Sequence, residues 1–193
     1  MAEINDNRQS WESLKKGNSE ALAAIYRRFD DDLLNYAFAL SRDKDMAKDC
    51  VQELFLNLWA QRKNLTTPVS TKAYLIVSLR NIVISRLTAE KRRLGMHLLF
   101  NGEQNNAEAD VLNSSITEEE EKSRNNWLYK NLGALTKRQQ EVIHLRFIQE
   151  LDYNQIAEIT GLNYQGARNL LYKALQALRK QILVPALAYL LVS

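Results

Sequence analysis

The sequence predicts an all-α protein: two small helical domains joined by an acidic, flexible linker. Three observations carry that expectation. Gly and Pro are scarce, 6 and 2 in 193 residues, whereas Leu, Ala, Lys, Arg, Glu and Gln, which favour helices, are plentiful. Apolar residues recur with the 3.6-residue period of half-buried helices, and no convincing strand alternation appears. Charge is also segregated along the chain. Residues 1–94 hold 16 Lys/Arg and 12 Asp/Glu, residues 95–121 hold no Lys/Arg and 7 Asp/Glu, and residues 122–193 hold 10 and 4. The acidic, Asn- and Glu-rich middle reads as a linker with no core of its own, and the basic flanks suit nucleic acid. A hydrophobic share of 46% is enough for genuine cores in those flanks.

Within residues 1–94, Asn18 or Ser19 can cap a helix whose apolar positions include Leu22, Ile25, Phe29, Leu33, Tyr36, Ala37 and Leu40. Asp43 or Asp45 opens a second, with Ala47, Val51, Leu54, Phe55, Leu58 and Trp59 on its apolar stripe. Pro68 and the Ser/Thr residues between Leu65 and Ser70 mark a loop. Ser70 can cap a third helix carrying Ala73, Tyr74, Val77, Ile82 and Val83 and ending in a basic stretch with Arg80, Arg86, Lys91, Arg92 and Arg93. Such helices gain their stability from packing apolar stripes together. Two faces stand out. Asp49, Gln52 and Glu53 fall within about one turn beside the stripe of the second helix, and spacing alone favours a merely solvated face. For the basic end of the third helix, a solvated charge run and a nucleic-acid contact are evenly matched. Asp30, Asp31 and Asp32 read as a solvated helix face.

Residues 122–193 have the layout of a helix-turn-helix. Asp152 with Gln155 three residues on forms a capping-box start. Ile156, Ala157 and Ile159 face inward, and Gly161 supplies the positive φ of a sharp turn. Asn163 can cap a second helix, on which Ala167, Leu170, Leu171, Ala174, Leu175 and Leu178 form one apolar stripe. The opposite face presents Tyr164, Gln165, Arg168, Asn169, Tyr172, Lys173, Gln176 and Arg179, side chains able to donate to phosphates and read base edges. The apolar run from Ile182 to Val192 is eleven residues, too short for a membrane span of about 20. Pro185 is expected to interrupt its helix. The run either packs on its own domain or offers a partner site.

Several function classes find no support. Cys50 is alone, so no disulfide framework exists, and His97 and His144 are too few and too scattered for a metal site. No P-loop, nucleophile elbow, paired metal-ligand motif or Gly-rich phosphate cradle occurs, so no catalytic residue, cofactor or small-molecule substrate is expected. The polar N-terminus lacks a signal-peptide core, which makes a reducing cytoplasm the default location.

At this point the motifs carry a resemblance. Ala47, Asp49, Gln52, Glu53, Phe55 and Trp59 stand in the order and spacing of a signature of bacterial RNA polymerase sigma factors, extracytoplasmic-function (ECF) group. Tyr74 and Leu75, then Arg80 and Asn81, resemble the next family motif. Leu135, Thr136, Gln139, Gln140 and Val142 are similar to the opening of the family's C-terminal domain, which runs into the helix-turn-helix. The resemblance covers roughly residues 10–94 and 122–182. It implies a two-domain factor that binds core RNA polymerase and directs promoter-specific initiation. Residues 1–94 would correspond to sigma region 2, 95–121 to the linker and 122–193 to sigma region 4.

The resemblance further implies roles. Asp49, Gln52 and Glu53 would dock on the polymerase, carboxylates and amide pairing with exposed groups across a groove. The loop from Gln61 to Thr71 and the third helix would recognise and open the −10 promoter element, through Lys63, Lys72, Tyr74, Arg80, Asn81, Arg86, Arg92 and Arg93. Opened strands are held by stacking, small pockets and cations on the backbone. Tyr74 could stack on a base or be a core aromatic, and its place on the apolar stripe favours core. Gln165, Arg168 and Asn169 would read the −35 element, with Tyr164, Tyr172 and Lys173 on phosphates. Gly166 and Ala167 stand where many relatives have a Thr-Val pair. A linker of 27 residues, 95–121, reaches about 90 Å, or some 26 base pairs at about 3.4 Å each, so both heads can engage one promoter. An anti-sigma partner is also expected. The competing readings are a stand-alone helix-turn-helix regulator and a helical decoy without DNA binding.

Overall fold

A computed structural model describes residues 2–100 and 135–192, with the side-chain surroundings of residues 7–93 and 135–180. Most of the expected linker therefore lies outside the described residues, as does the packing of the apolar tail.

Four helices form the N-terminal bundle: α1 (Ala2–Lys15), α2 (Ser19–Ser41), α3 (Lys44–Ala60) and α4 (Thr71–Phe100). A single 3-10 turn, Arg62–Asn64, follows α3. The caps are those the sequence allows. The Asn18 side chain accepts from the Glu20 and Ala21 amides, and the Asp43 side chain accepts from Asp45 and Met46. The Ser70 hydroxyl accepts from the Ala73 amide at 3.2 Å. Each cap satisfies amides that the first helical turn leaves without partners. α4 continues to Phe100, beyond the residue 94 boundary expected for the domain. α1 was not expected at all. Among its described residues Trp11 and Leu14 are completely buried, and its sequence holds too few apolar residues to show a period.

The C-terminal part contains α5 (Lys137–Ile143), a π-helical turn (His144–Ile148), α6 (Tyr153–Thr160) and α7 (Tyr164–Val192). Thr136 with Gln139 and Asp152 with Gln155 both form complete capping boxes. Gly161 closes α6 at φ +69, a left-handed conformation that a side chain would strain. The Asn163 side chain accepts from the Gly166 amide at 2.7 Å and starts α7. Ala167, Leu171 and Ala174 of the expected stripe are buried, but Leu175 is exposed. α7 passes through Pro185 to Val192, so the expected interruption does not occur. An interior proline removes one backbone hydrogen bond and tends to kink a helix, a cost that does not always end it.

The two parts share one hydrophobic cluster, running from Trp11, Ile25 and Leu54 in the bundle to Leu145, Ile156 and Leu171 in the helix-turn-helix. α4 packs on α6, and α2 on α5. The packing is reinforced by polar ties. Glu141, 7% exposed, accepts from the Tyr36 hydroxyl at 2.9 Å and from Arg80 Nε at 2.7 Å. Arg42 donates to the Gln140 side chain at 2.8 Å, and the buried Gln149 donates to the Asp32 carbonyl at 2.9 Å. Burial and the neighbouring Glu141 carboxylate hold the Tyr36 phenol well above its ordinary range. Hydrogen bonding to Glu141 raises Arg80. The protein is therefore closed, its two domains meeting across a buried ion pair.

Candidate nucleic-acid interface

Three surfaces collect the residues singled out by sequence. The first is the outer face of α3. Asp49 and Gln52 are exposed and Glu53 is half-buried, one turn apart. Leu56, 63% exposed, continues the same face by one more turn. Sequence reasoning missed Leu56, although its i+7 spacing from Asp49 places it there. Arg86 of α4 reaches this face and donates to Glu53 Oε2 at 3.0 Å from Nε and 2.5 Å from Nη2, with Asp49 at 3.5 Å. Those hydrogen bonds raise Arg86 above its usual value. Arg86 thus neutralises part of the acidic face.

The second surface is a cleft of about 240 Å³ between the end of α3, the connecting loop and α4. Asn57, Gln61, Ser78 and Asn81 supply polar groups, Leu54, Leu58, Leu65 and Ile82 supply apolar walls, and Tyr74 presents its ring. Tyr74 packs edge-on to Trp11, with ring centroids 5.1 Å apart, and it also lines the cleft. Asn57 and Ser78 were not singled out by sequence, and Gln61 only as the start of the candidate loop, because polar residues look alike until the fold brings them together. Lys63, Asn81, Arg92 and Arg93 are exposed. Lys72 and Arg80 are engaged elsewhere. Lys72 pairs with Asp32 at 2.7 Å, so Asp32 is no mere solvated residue. Arg80 is held by Glu141 of the C-terminal domain.

The third surface is the outer face of α7. Tyr164, Gln165, Arg168, Asn169, Tyr172 and Lys173 are all exposed, opposite the buried Ala167 and Leu171. Gln165 donates to the Asn169 side chain at 3.3 Å, presetting two amides one turn apart. Tyr164 packs edge-on to Tyr153 at 5.6 Å. Tyr172 accepts from the Gln176 side chain at 2.8 Å. A Cβ on Gly166 would lie 3.0 Å from Asn163 Oδ1, the atom that caps the helix. A glycine here therefore spares the cap, although the tight approach is to a side chain that can shift.

Among the described residues no cluster of His, Cys, Asp and Glu could hold a metal ion, and no helix is long and apolar enough to cross a membrane. The arrangement defines a class: a two-headed helical protein, with a bundle that carries an acidic outer face and a polar cleft, and a helix-turn-helix whose second helix exposes a polar face.

Comparison with known proteins makes the class specific. Sigma-70 region 2 matches residues 25–93 and sigma-70 region 4 matches residues 125–178. The chain belongs to the sigma-70 family of RNA polymerase sigma factors, ECF group. It is 27% identical over 176 residues to the ECF RNA polymerase sigma factor BldN of Streptomyces coelicolor, a match covering 88% of this chain but only 63% of BldN. It is 26% identical over 151 residues to the sigma factor SigV of Bacillus subtilis, covering 78% of this chain and 84% of SigV. Among solved structures, CnrH in complex with the cytosolic domain of CnrY shares the fold at a TM-score of 0.66 and 17% identity, over 92% of this chain and 97% of that one. RpoE bound to the anti-sigma factor NepR, from Bartonella quintana, matches at 0.58 and 22% identity, over 86% and 96%.

Proposed function

We propose that the chain binds core RNA polymerase and directs it to promoters. The observation that carries this reading is the presence, on one chain and in order, of regions 2 and 4 of the family, each presenting an exposed polar face where the motif residues lie. In this reading α3 docks on the polymerase through Asp49, Gln52 and Glu53, with Leu56 as an apolar anchor at the edge of the charged face. Charge complementarity supplies orientation and rate, and the apolar contact supplies affinity.

The cleft beside Tyr74 accepts an unstacked base of the −10 element, its amides and hydroxyl offering hydrogen-bond partners and its leucines a dry wall. Lys63, Arg92 and Arg93 neutralise backbone phosphates. Arg80 and Lys72 join them only after exchanging their carboxylate partners for phosphates, Lys72 leaving Asp32 within the bundle and Arg80 leaving Glu141, which requires the domains to separate. The first turns of α7 enter the major groove at the −35 element, where Gln165, Arg168 and Asn169 meet base edges and Tyr164, Tyr172 and Lys173 meet phosphates. The protein then contributes recognition and strand opening, while bond formation belongs to the polymerase. Its place of action is the cytoplasm, at the nucleoid. An anti-sigma protein is the expected regulator, since two proteins of the same fold were solved with a partner, one of them named an anti-sigma factor.

The test is run-off transcription with core polymerase on a genomic fragment library. Discrete transcripts that require both proteins are expected. Tight duplex binding without core, and no transcripts with it, would replace this reading with that of a stand-alone regulator. Core binding without strand opening would replace it with that of a decoy.

A further inference from the structure

The loop between α3 and α4 forms one wall of the cleft, and most of what holds it comes from outside the matched regions. α1 ends at Lys15, well before residue 25, where region 2 begins. Trp11 on α1 is fully buried, and its indole N–H donates to the Thr66 carbonyl at 3.0 Å. The Thr67 hydroxyl donates to the Glu12 carboxylate. Lys15 closes the triangle, donating to Thr67 Oγ1 at 3.2 Å and to Glu12 at 3.4 Å. The hydrogen bond from Thr67 is the main reason the Glu12 carboxyl sits below its ordinary range. Leu65, next in the chain, is buried and lines the cleft. The Trp11 ring also rests edge-on against Tyr74 on the opposite wall. Three consecutive loop residues are thus fixed, Leu65 by burial, Thr66 through its backbone and Thr67 through its side chain. The last two ties, and a wall aromatic, all lead to α1.

A loop has few bonds of its own, so its shape follows from such ties. A recognition loop already held in its working shape loses less freedom on binding and tolerates fewer ligands. We propose that α1 is a positioning element for strand recognition: Trp11 and Glu12 fix the loop at Thr66 and Thr67 and thereby set which base the cleft admits. This rests on the reading of the cleft given above. Trp11 and Glu12 act through the loop and touch no base themselves.

The experiment uses the full chain with core polymerase and single-stranded oligonucleotides carrying the −10 segment of a promoter that the wild type transcribes, each base replaced in turn. Thr67→Val removes the hydroxyl at constant shape, Thr67→Ser keeps it, and Trp11→Phe keeps a buried ring without the N–H. Each lost hydrogen bond is expected to reduce discrimination between the matched and substituted strands by about three- to tenfold, with co-elution with core and −35 duplex binding unchanged. Thr67→Ser is expected to restore wild-type discrimination. Unchanged discrimination in Thr67→Val overturns the proposal, as does a loss that falls equally on every strand and tracks lowered thermal stability. If Trp11→Phe fails to fold, Thr67→Val against Thr67→Ser decides. Backbone order of the loop at Thr66 and Thr67 is measured on the protein alone by nuclear relaxation. Lower order in Thr67→Val supports positioning even if the wild type fails to open promoters, a failure that would count against the sigma reading instead. Unchanged order overturns positioning whatever the promoter result.

Discussion

Replacing Glu141 by Gln should open the molecule without unfolding either domain. Glu141 is the centre of the domain contact: its carboxylate receives the Tyr36 hydroxyl and the Arg80 guanidinium from the other domain. Breaking a buried ion pair by removing one partner costs about 3–5 kcal/mol, because the remaining charge stays desolvated. The Arg80 side chain keeps 20% of its surface exposed and can turn toward water, so the low end applies, about 3 kcal/mol. That lowers the ratio of closed to open molecules on the order of 100-fold, at about 1.4 kcal/mol per factor of ten. Small-angle X-ray scattering on the free protein reads the change as a larger radius of gyration, while circular dichroism reports unchanged helix. A double-mutant cycle with Arg80→Met isolates the pair. Superimposable scattering curves for wild type and Glu141→Gln would refute the reasoning, as would a loss of helix that accompanies any expansion.

Other outcomes follow from the same geometry. Burial, with Arg42 and Lys72 adding to it against the opposing Asp32, lowers His144 to about 4 from its ordinary 6.5. The closed form therefore stays neutral while an open form takes up a proton between those values. Closure should be complete above pH 6.5 and weaken by up to about 3 kcal/mol as pH falls toward 4, measured as an acid-induced rise in radius of gyration that His144→Gln diminishes. Arg168→Ala should weaken binding to −35 duplex DNA by about 1–3 kcal/mol if it reads a base edge, seen in gel shifts of the core-bound protein. Glu53→Lys should abolish co-elution with core while changing the unfolding free energy by only about 1 kcal/mol, because both side chains of the Glu53–Arg86 pair keep over a third of their surface in water, which screens the pair. Asp31→Ala, at an exposed position that belongs to none of the three surfaces, should leave transcription unchanged.

Much of this architecture was legible in the sequence because it is written in local chemistry. Asn18, Asp43, Ser70, Thr136, Asp152 and Asn163 each start a helix, and a cap involves only residues two or three apart. The turn at Gly161 is equally local. What sequence could not show depends on distance. Glu141 meets partners 61 and 105 residues away, and a lone Glu in a polar motif reads as solvated because carboxylates are rarely buried unless paired. Arg80 and Arg86, read as DNA cations, also pair with Glu141 and Glu53, contacts hidden by distance along the chain in the same way. The hold of α1 on the loop was invisible because its sequence carries too few apolar residues to give a periodic signal. The cleft was half legible: Tyr74 and Asn81 fall in a motif, whereas Asn57, Gln61 and Ser78 acquire meaning only once α3 and α4 are packed.

The most direct measurement is gel filtration of purified protein with core RNA polymerase at near-physiological salt, with no inhibitor present. Stoichiometric co-elution, lost on Glu53→Lys, is the result this account requires. Separate elution of the wild-type chain and the polymerase would contradict it.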